Sequence, residues 1–72
     1  MTTYTILLEG DDETGWNGIV PDLPGILLAG ETRDELLASA PPVIEDYIDA
    51  QRERGFPVPE PGRNVATVTV AA

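Results

Sequence analysis

Apolar and polar residues alternate near the start of the chain. Residues 4–9 are rich in β-branched, aromatic and aliphatic residues and end before Gly10, which predicts a first strand. In a strand, Ile6 and Leu8 share one face and Leu7 lies on the other. Apolar side chains therefore occupy both faces of this strand.

A second short alternating stretch follows an acidic loop. Residues 10–15 carry three acidic residues between two glycines, a composition typical of an exposed hairpin loop. Residues 16–20 then predict a returning strand. Gly18 within it indicates a bulge or a close backbone approach. The two faces of this strand carry Trp16, Gly18 and Val20 on one side and Asn17 and Ile19 on the other.

The segment Val-Pro-Asp-Leu-Pro-Gly at residues 20–25 organises the rest of the chain. Its two prolines hold the backbone extended and remove donors from any strand ladder, so a strand ending at Val20 must turn here. Gly25 supplies the positive φ that reverses the chain. Residues 26–29 are apolar and lie between two glycines, which favours a third strand.

A long helix is predicted from residue 33 to about residue 54. Thr32, followed three residues later by Glu35, fits a capping box, and Gly55 fits the position just beyond the helix end. Apolar residues recur at three- and four-residue spacing, and acidic residues lie opposite them on a helical wheel. The apolar positions are 36, 37, 40, 43, 44, 47 and 48.

Pro41 and Pro42 conflict with this helix. Each proline removes an intrahelical hydrogen bond, and an interior proline costs about 3 kcal/mol or more. The apolar stripe nevertheless stays in phase across both. We therefore expect one long bent helix, with two abutting helices as the alternative.

Residues 56–61 contain alternating prolines and predict a stiff connector. Residues 65–70 alternate again and predict a fourth strand. The expected fold is thus α+β, in the order β-β-β-α-β, and it forms a single domain over residues 1–72.

Charge and composition limit the classes of molecule that the chain is expected to bind. Thirteen acidic residues and four arginines give a net charge of −9, which disfavours direct binding to nucleic acid and favours a basic protein partner. The chain has no cysteine. It has neither an apolar run long enough to span a membrane nor the pattern of a signal peptide, so we expect a cytoplasmic protein.

The first strand, the acidic turn, the Pro-Asp-Leu-Pro-Gly segment at residues 21–25, Gly30, Thr32 and Glu35-Leu36 together resemble the HicB family of antitoxins. The resemblance covers nearly the whole chain. It implies a partial RNase H-like domain with three antiparallel strands, a helix and a fourth strand beside the first. It also implies a partner, HicA, a small basic toxin that cleaves mRNA and that HicB blocks by binding.

Full-length members of that family continue into a segment that binds operator DNA. The present sequence stops at Ala72 without such a segment, so operator binding is not expected. Two further departures are Ile26 after Gly25, where many members have a small residue, and the Pro-Pro step. A HicB-like protein with no toxin partner remains the alternative function.

Catalysis is not expected. The chain lacks histidine and cysteine, which removes the commonest general base and the thiol nucleophile. An RNase H-like outline raises the alternative of a metal-dependent nuclease, but of the acidic residues only Glu9 ends a predicted strand. We therefore predict no catalytic residue, no metal site and no cofactor.

Six residues are candidates for contact with a partner: Asp11, Asp12, Glu13, Trp16, Asp22 and Leu23. The first three would steer a basic protein, and Trp16 would anchor an interface or, equally, fill the core. Asp22 is alternatively a turn residue whose carboxylate accepts hydrogen bonds from nearby backbone amides.

Self-association is also expected. Apolar side chains lie on both faces of the first two predicted strands, while one helix covers only one face. A chain of 72 residues has a thin core and gains stability when a partner buries the second face. A two-fold homodimer is the simplest arrangement, and a higher homo-oligomer is possible.

Overall fold

The structure is a computed structural model that describes residues 2–71. Three strands, β1 (Leu7–Asp11), β2 (Gly15–Ile19) and β3 (Leu27–Gly30), precede one helix, α1 (Arg33–Glu53). The strands form one sheet in the order β1-β2-β3, and both pairs are antiparallel. The predicted α+β class, the three antiparallel strands and the long helix are confirmed.

The register of the sheet separates its two faces. Leu8, Gly18 and Leu28 are cross-strand partners on the inner face, which α1 covers. On the outer face, the row of cross-strand partners is Leu7, Ile19 and Leu27. The predicted alternation of the first two strands is therefore confirmed, including Leu7 opposite Ile6 and Leu8.

Gly18 is a place where a helix side chain packs closely on the central strand. A Cβ atom at Gly18 would lie 3.2 Å from a methyl of Leu36 and 3.2 Å from a methyl of Ile6. The β1–β2 register runs through Gly18 without an extra residue. Gly18 therefore marks a close approach and not a bulge, and its missing side chain lets the fully buried Leu36 reach the strand.

The helix begins as predicted, with one difference in its cap. The Thr32 hydroxyl accepts a hydrogen bond from the Glu35 N–H at 3.1 Å. The Glu35 carboxylate accepts from the N–H of Glu31, at 3.1 Å, one residue before the position a capping box uses. At the other end, the Gly55 N–H donates to Arg52 and the Phe56 N–H donates to Gln51, which is the Schellman pattern.

One continuous helix passes through Pro41 and Pro42, so the alternative of two abutting helices is wrong. Both prolines are exposed. The carbonyl groups of Leu37 and Ala38, four residues earlier, lose their intrahelical donors because proline has no N–H. The buried residues Leu36 and Ala40 lie before this step, and the partly buried Ile44, Tyr47 and Ile48 pack against the core after it.

The first strand begins later than predicted, at Leu7 and not at residue 4. Leu7 pairs with Ile19, the last residue of β2, because the chain turns immediately afterwards at Pro21. Tyr4 therefore has no β2 residue to pair with, and its hydroxyl instead donates to the carbonyl of Pro59 at 3.1 Å.

The fourth strand predicted at residues 65–70 is not formed in this structure. These residues have no regular secondary structure, and within the described chain no backbone hydrogen bond is made by residues 65–71. Val65 and Thr67 line a cleft with Thr5 and Leu7, so the segment does pass beside the first strand. Strand propensity alone therefore did not decide pairing, since β1 is an edge strand of five residues and no strand of the described chain lies at its outer edge.

Candidate protein-binding site

The β1–β2 hairpin loop is ordered by one carboxylate. An Asp11 oxygen accepts hydrogen bonds from the N–H of Glu13 at 3.0 Å, and from the N–H and the hydroxyl of Thr14 at 2.8 and 2.9 Å. The bonds from Thr14, followed by the bond from Glu13, lower the pKa of Asp11 below its ordinary value. Asp11 therefore stays ionised while holding the loop in shape.

Trp16 connects this loop to the core. Its indole N–H donates to the Asp12 carboxylate at 2.6 Å, while its ring is half-buried against the hydrophobic cluster under the sheet. The structure thus gives Trp16 a core contact and a polar contact at the surface. Its predicted contact with a partner stays a prediction.

Acidic residues from two separate segments lie at one end of the sheet. Trp16 in β2 pairs with Gly30, the last residue of β3, so the hairpin loop and the start of α1 occupy the same end. All six carboxylate residues at this end are exposed, and Arg33 is the one basic residue among them. We call this surface the acidic end; it comprises Asp11, Asp12, Glu13, Glu31, Asp34 and Glu35.

The six residues of the acidic end fall into two groups. Three carboxylates accept hydrogen bonds within the chain: Asp11 in the loop, Asp12 from Trp16, and Glu35 in the helix cap. In the part of the chain that the structure describes, no hydrogen bond involves the side chain of Glu13, Glu31 or Asp34. These three carboxylates are consequently available to a cationic partner without disturbing the fold.

Asp22 is not at the surface. It is 0% exposed, and its two carboxylate oxygens accept from the N–H of Gly62 at 2.8 Å and of Asn64 at 2.6 Å. The Asn64 side-chain amide donates in turn to the carbonyl of Pro21 at 3.1 Å. The prediction that Asp22 bonds nearby amides was wrong in one respect, because the amides it binds lie about forty residues away in the sequence.

Leu23 is likewise 0% exposed and belongs to the core cluster. Both central residues of the Pro-Asp-Leu-Pro segment therefore point away from a partner in this conformation. The buried Asp22 carboxylate is fully hydrogen-bonded, and among residues 2–71 no buried side-chain nitrogen or oxygen lacks a hydrogen bond. Asp22 and Leu23 hold the turn in place, and in this structure neither side chain is exposed for the contact with a partner that was predicted for them.

The described residues contain no group of three or more histidine, cysteine or acidic side chains placed to hold a metal ion. Glu9, the one acidic residue at the end of a predicted strand, lies on the exposed outer face of β1. Within residues 2–71, no helix is long and apolar enough to cross a membrane.

Sequence reasoning missed the contribution of the helix start to the acidic end. The cap motif and the helical wheel say nothing about the proximity of Glu31 and Asp34 to the hairpin loop, which follows from the pairing of β2 with β3. The order of elements contained the signal, because in an antiparallel β-β-β unit the first loop and the end of the third strand lie at the same end of the sheet.

Comparison with known proteins adds a family. The sequence profile of the family described as "HicB_like antitoxin of bacterial toxin-antitoxin system" matches residues 4–70. Over 50 residues, the chain is 40% identical to Antitoxin HicB 2 of Photorhabdus laumondii subsp. laumondii. That alignment covers 69% of this chain and 36% of the relative, so the chain spans little more than a third of the relative's length. No solved structure matches the chain significantly.

Proposed function

Since this chain belongs to the HicB-like family of antitoxins from bacterial toxin–antitoxin systems, we propose that it neutralises a small basic HicA-like toxin by binding to it directly. The toxin would cleave mRNA in the cytoplasm, and the chain would act there by covering it. No step of this function requires the chain itself to catalyse a reaction or to hold a cofactor.

The observation that carries the proposal is the acidic end. Six exposed carboxylates from two segments stand against a single arginine, so this end attracts a basic protein. A charged surface of this kind raises the rate of association more than it raises the affinity, because it acts on the partner before contact. Fast capture suits a protein whose task is to keep a nuclease inactive.

The charge also decides which molecule the chain acts on. A net charge of −9 repels the phosphate backbone, so the chain would not protect mRNA by binding it. Inhibition would therefore occur on the toxin, whose own basic RNA-binding surface is the complement of the acidic end.

The test begins with the chain purified from its native cell, and with the small proteins that accompany it identified by mass spectrometry. The accompanying basic protein is then assayed for mRNA cleavage with increasing amounts of the chain. We expect stoichiometric inhibition. Cleavage that continues in the presence of excess chain, or the absence of any small basic companion, would overturn the proposal.

A matched pair of variants tests the acidic end itself. The first combines Glu13→Gln, Glu31→Gln and Asp34→Asn, which remove three charges without removing a hydrogen bond of the described fold. The control combines Asp46→Asn, Asp49→Asn and Glu53→Gln, which remove three exposed charges along the middle and end of α1. We expect a tenfold or larger decrease in association rate at low salt for the first variant and a much smaller decrease for the control.

A further inference from the structure

The outer face of the sheet changes in character along the strands. At one end lies a row of exposed aliphatic cross-strand partners, which we call the outer row: Leu7, Ile19 and Leu27, at 52%, 47% and 72% exposed. The next row of the same face consists of Glu9, Asn17 and Ala29. Since α1 covers only the inner face, no helix or strand of the described chain lies over either row.

The third row of this face is acidic. Because side chains alternate along a strand, Asp11 lies on the same face as Glu9, and it pairs with Gly15 of β2. On the other side of Gly15 lies Glu31, one residue beyond the last pair of β2 with β3. We call Asp11 and Glu31 the acidic row; both also belong to the acidic end. At about 3.3 Å per residue, the acidic row lies about 13 Å from the outer row.

A second copy of this chain does not fit the outer face. A two-fold axis can superpose two identical faces fully in two ways, with the axis along the strands or across them. The axis along the strands sets acidic row against acidic row, with Asp11 opposite Glu31 of the second copy. The axis across the strands sets the acidic row of each copy against the outer row of the other, which takes carboxylates out of water against leucines. Both arrangements are unfavourable, by charge repulsion in the first and by desolvation in the second.

The sheet face is also too small to hold any partner alone. Three strands of about five residues cover roughly 240 Å² of flat sheet, from strand spacings near 4.8 Å and a rise near 3.3 Å per residue. Stable protein interfaces bury about 800 Å² on each partner. Beyond the acidic row, the hairpin loop and the start of α1 continue the same surface. A partner that binds the outer face stably must therefore cover the acidic end as well.

We infer that the outer face is the apolar half of the toxin-binding surface, an inference that rests on the proposed function. The partner is a basic protein that places an apolar side chain on the outer row and Lys or Arg side chains at the acidic end, about 13 Å away. The two halves act at different stages of binding. The charges of the acidic end speed the encounter, whereas burial of the outer row slows dissociation.

A single introduced thiol tests whether the partner covers this face, because the chain has no cysteine of its own. Asn17→Cys places the thiol on the exposed middle row of the outer face, and Asp49→Cys, at an exposed position of α1, is the matched control. Alkylation by iodoacetamide is followed by mass spectrometry, with and without the small basic protein that accompanies the chain. We expect that protein to slow alkylation of Asn17→Cys about tenfold or more and to leave Asp49→Cys unchanged, since a covered thiol is inaccessible.

A second pair of variants tests the division between the two halves. The first combines Leu7→Ala with Leu27→Ala and removes two side chains of the outer row. The control combines Val43→Ala with Phe56→Ala, which removes two apolar side chains, 39% and 54% exposed, from α1 and from just beyond its end. For the first variant we expect dissociation from the basic protein to become about tenfold faster or more, and association to change less than about twofold. The control should change neither rate, and circular dichroism checks that both variants are folded.

The outcomes separate this inference from the proposed function. If the chain inhibits the basic protein while the thiol of Asn17→Cys stays reactive, the inference is overturned and the proposed function stands. Protection of that thiol that rises with the concentration of the chain alone would identify a second copy as the cover and also overturn it. Equal dissociation rates for the two double variants would show that the outer row is not part of the interface. If no basic protein accompanies the chain, the proposed function fails and this inference fails with it.

Discussion

The two faces of the same three-stranded sheet differ in what covers their aliphatic residues. On the inner face, Leu28 is 2% exposed and lies in the core cluster with the fully buried Leu36. On the outer face, its neighbour Leu27 is 72% exposed. The two leucines are adjacent in the sequence and differ only in the direction that the strand gives them.

This difference shows that a few residues of one helix are enough to bury the aliphatic residues of one sheet face. One helix supplies Leu36 and Ala40 as its buried residues, and both belong to its first two turns. The outer face has the same kind of residues but no second helix. In a chain of 72 residues, sequence pattern therefore decides which residues can be buried, and the number of elements decides which of them are.

The largest expected effect on stability comes from truncating the helix side chain that packs on the inner face. Leu36→Ala should lower the free energy of unfolding by about 2 to 5 kcal/mol, because it deletes a fully buried side chain and leaves a cavity. Leu27→Ala, on the outer face, should change it by less than about 0.5 kcal/mol at concentrations where the chain is monomeric. Urea denaturation followed by circular dichroism measures both, and equal losses would show that the two faces contribute alike.

A smaller effect is expected at the turn below the inner face. Asp22→Asn should cost about 1 to 3 kcal/mol, because the new amide group places a donor against one of the two N–H groups that the carboxylate accepts. Hydrogen exchange should accelerate at the amides of Gly62 and Asn64 more than at those of β2. Asn64→Ala is the control, since it keeps the backbone N–H and removes only the side-chain bond to Pro21.

Gly18→Ala sharpens the comparison at a single position. Its new methyl group would sit 3.2 Å from both Leu36 and Ile6, so we expect a loss of about 1 kcal/mol from overpacking. In a Leu36→Val background the loss should shrink, because the shorter side chain makes room. A loss of the same size in both backgrounds would mean that the close approach of α1 is not its cause.

The smallest expected effect on stability concerns Asp11 in the hairpin loop, at the acidic end of the sheet. The folded-state pKa of Asp11 is depressed, so its contribution to stability is complete above the ordinary aspartate value of about 4 and disappears as the pH falls through the folded value. An NMR titration should give a midpoint below that ordinary value. Thr14→Ala removes one of the three hydrogen bonds and should move the midpoint part of the way back.

Local patterns in the sequence were sufficient for the three strands, the helix and the helix start. Alternation placed Leu7 and Ile6 on opposite faces, and the pair Thr32 and Glu35 placed the helix within one residue of its observed start. The fourth strand was not predictable in this way, because strand propensity says what residues 65–70 can form and not whether they pair. The outer edge of β1 has no strand beside it within the described chain, yet residues 65–70 form no ladder with it.

The candidate site was predicted only in part. The acidic loop could be identified from residues 11–13 alone, because a run of exposed acids between glycines is a local pattern. Glu31 and Asp34 are added by the antiparallel order of the strands, which brings the end of β3 to the same end of the sheet as the hairpin loop. Asp22 was predicted to contact a partner or to accept hydrogen bonds from nearby turn amides, whereas the amides that it binds come from the far end of the chain.

The bonds from Asp22 to Gly62 and Asn64 bear on the order in which the chain folds. The hairpin and the helix need contacts between close neighbours, but these two bonds join residues 40 and 42 positions apart, and the Tyr4–Pro59 bond spans 55. Distant contacts require the closure of long loops, which makes them late events in folding. Residues 57–71 should thus dock last during folding and detach first under mild denaturation, before the hairpin and helix have opened.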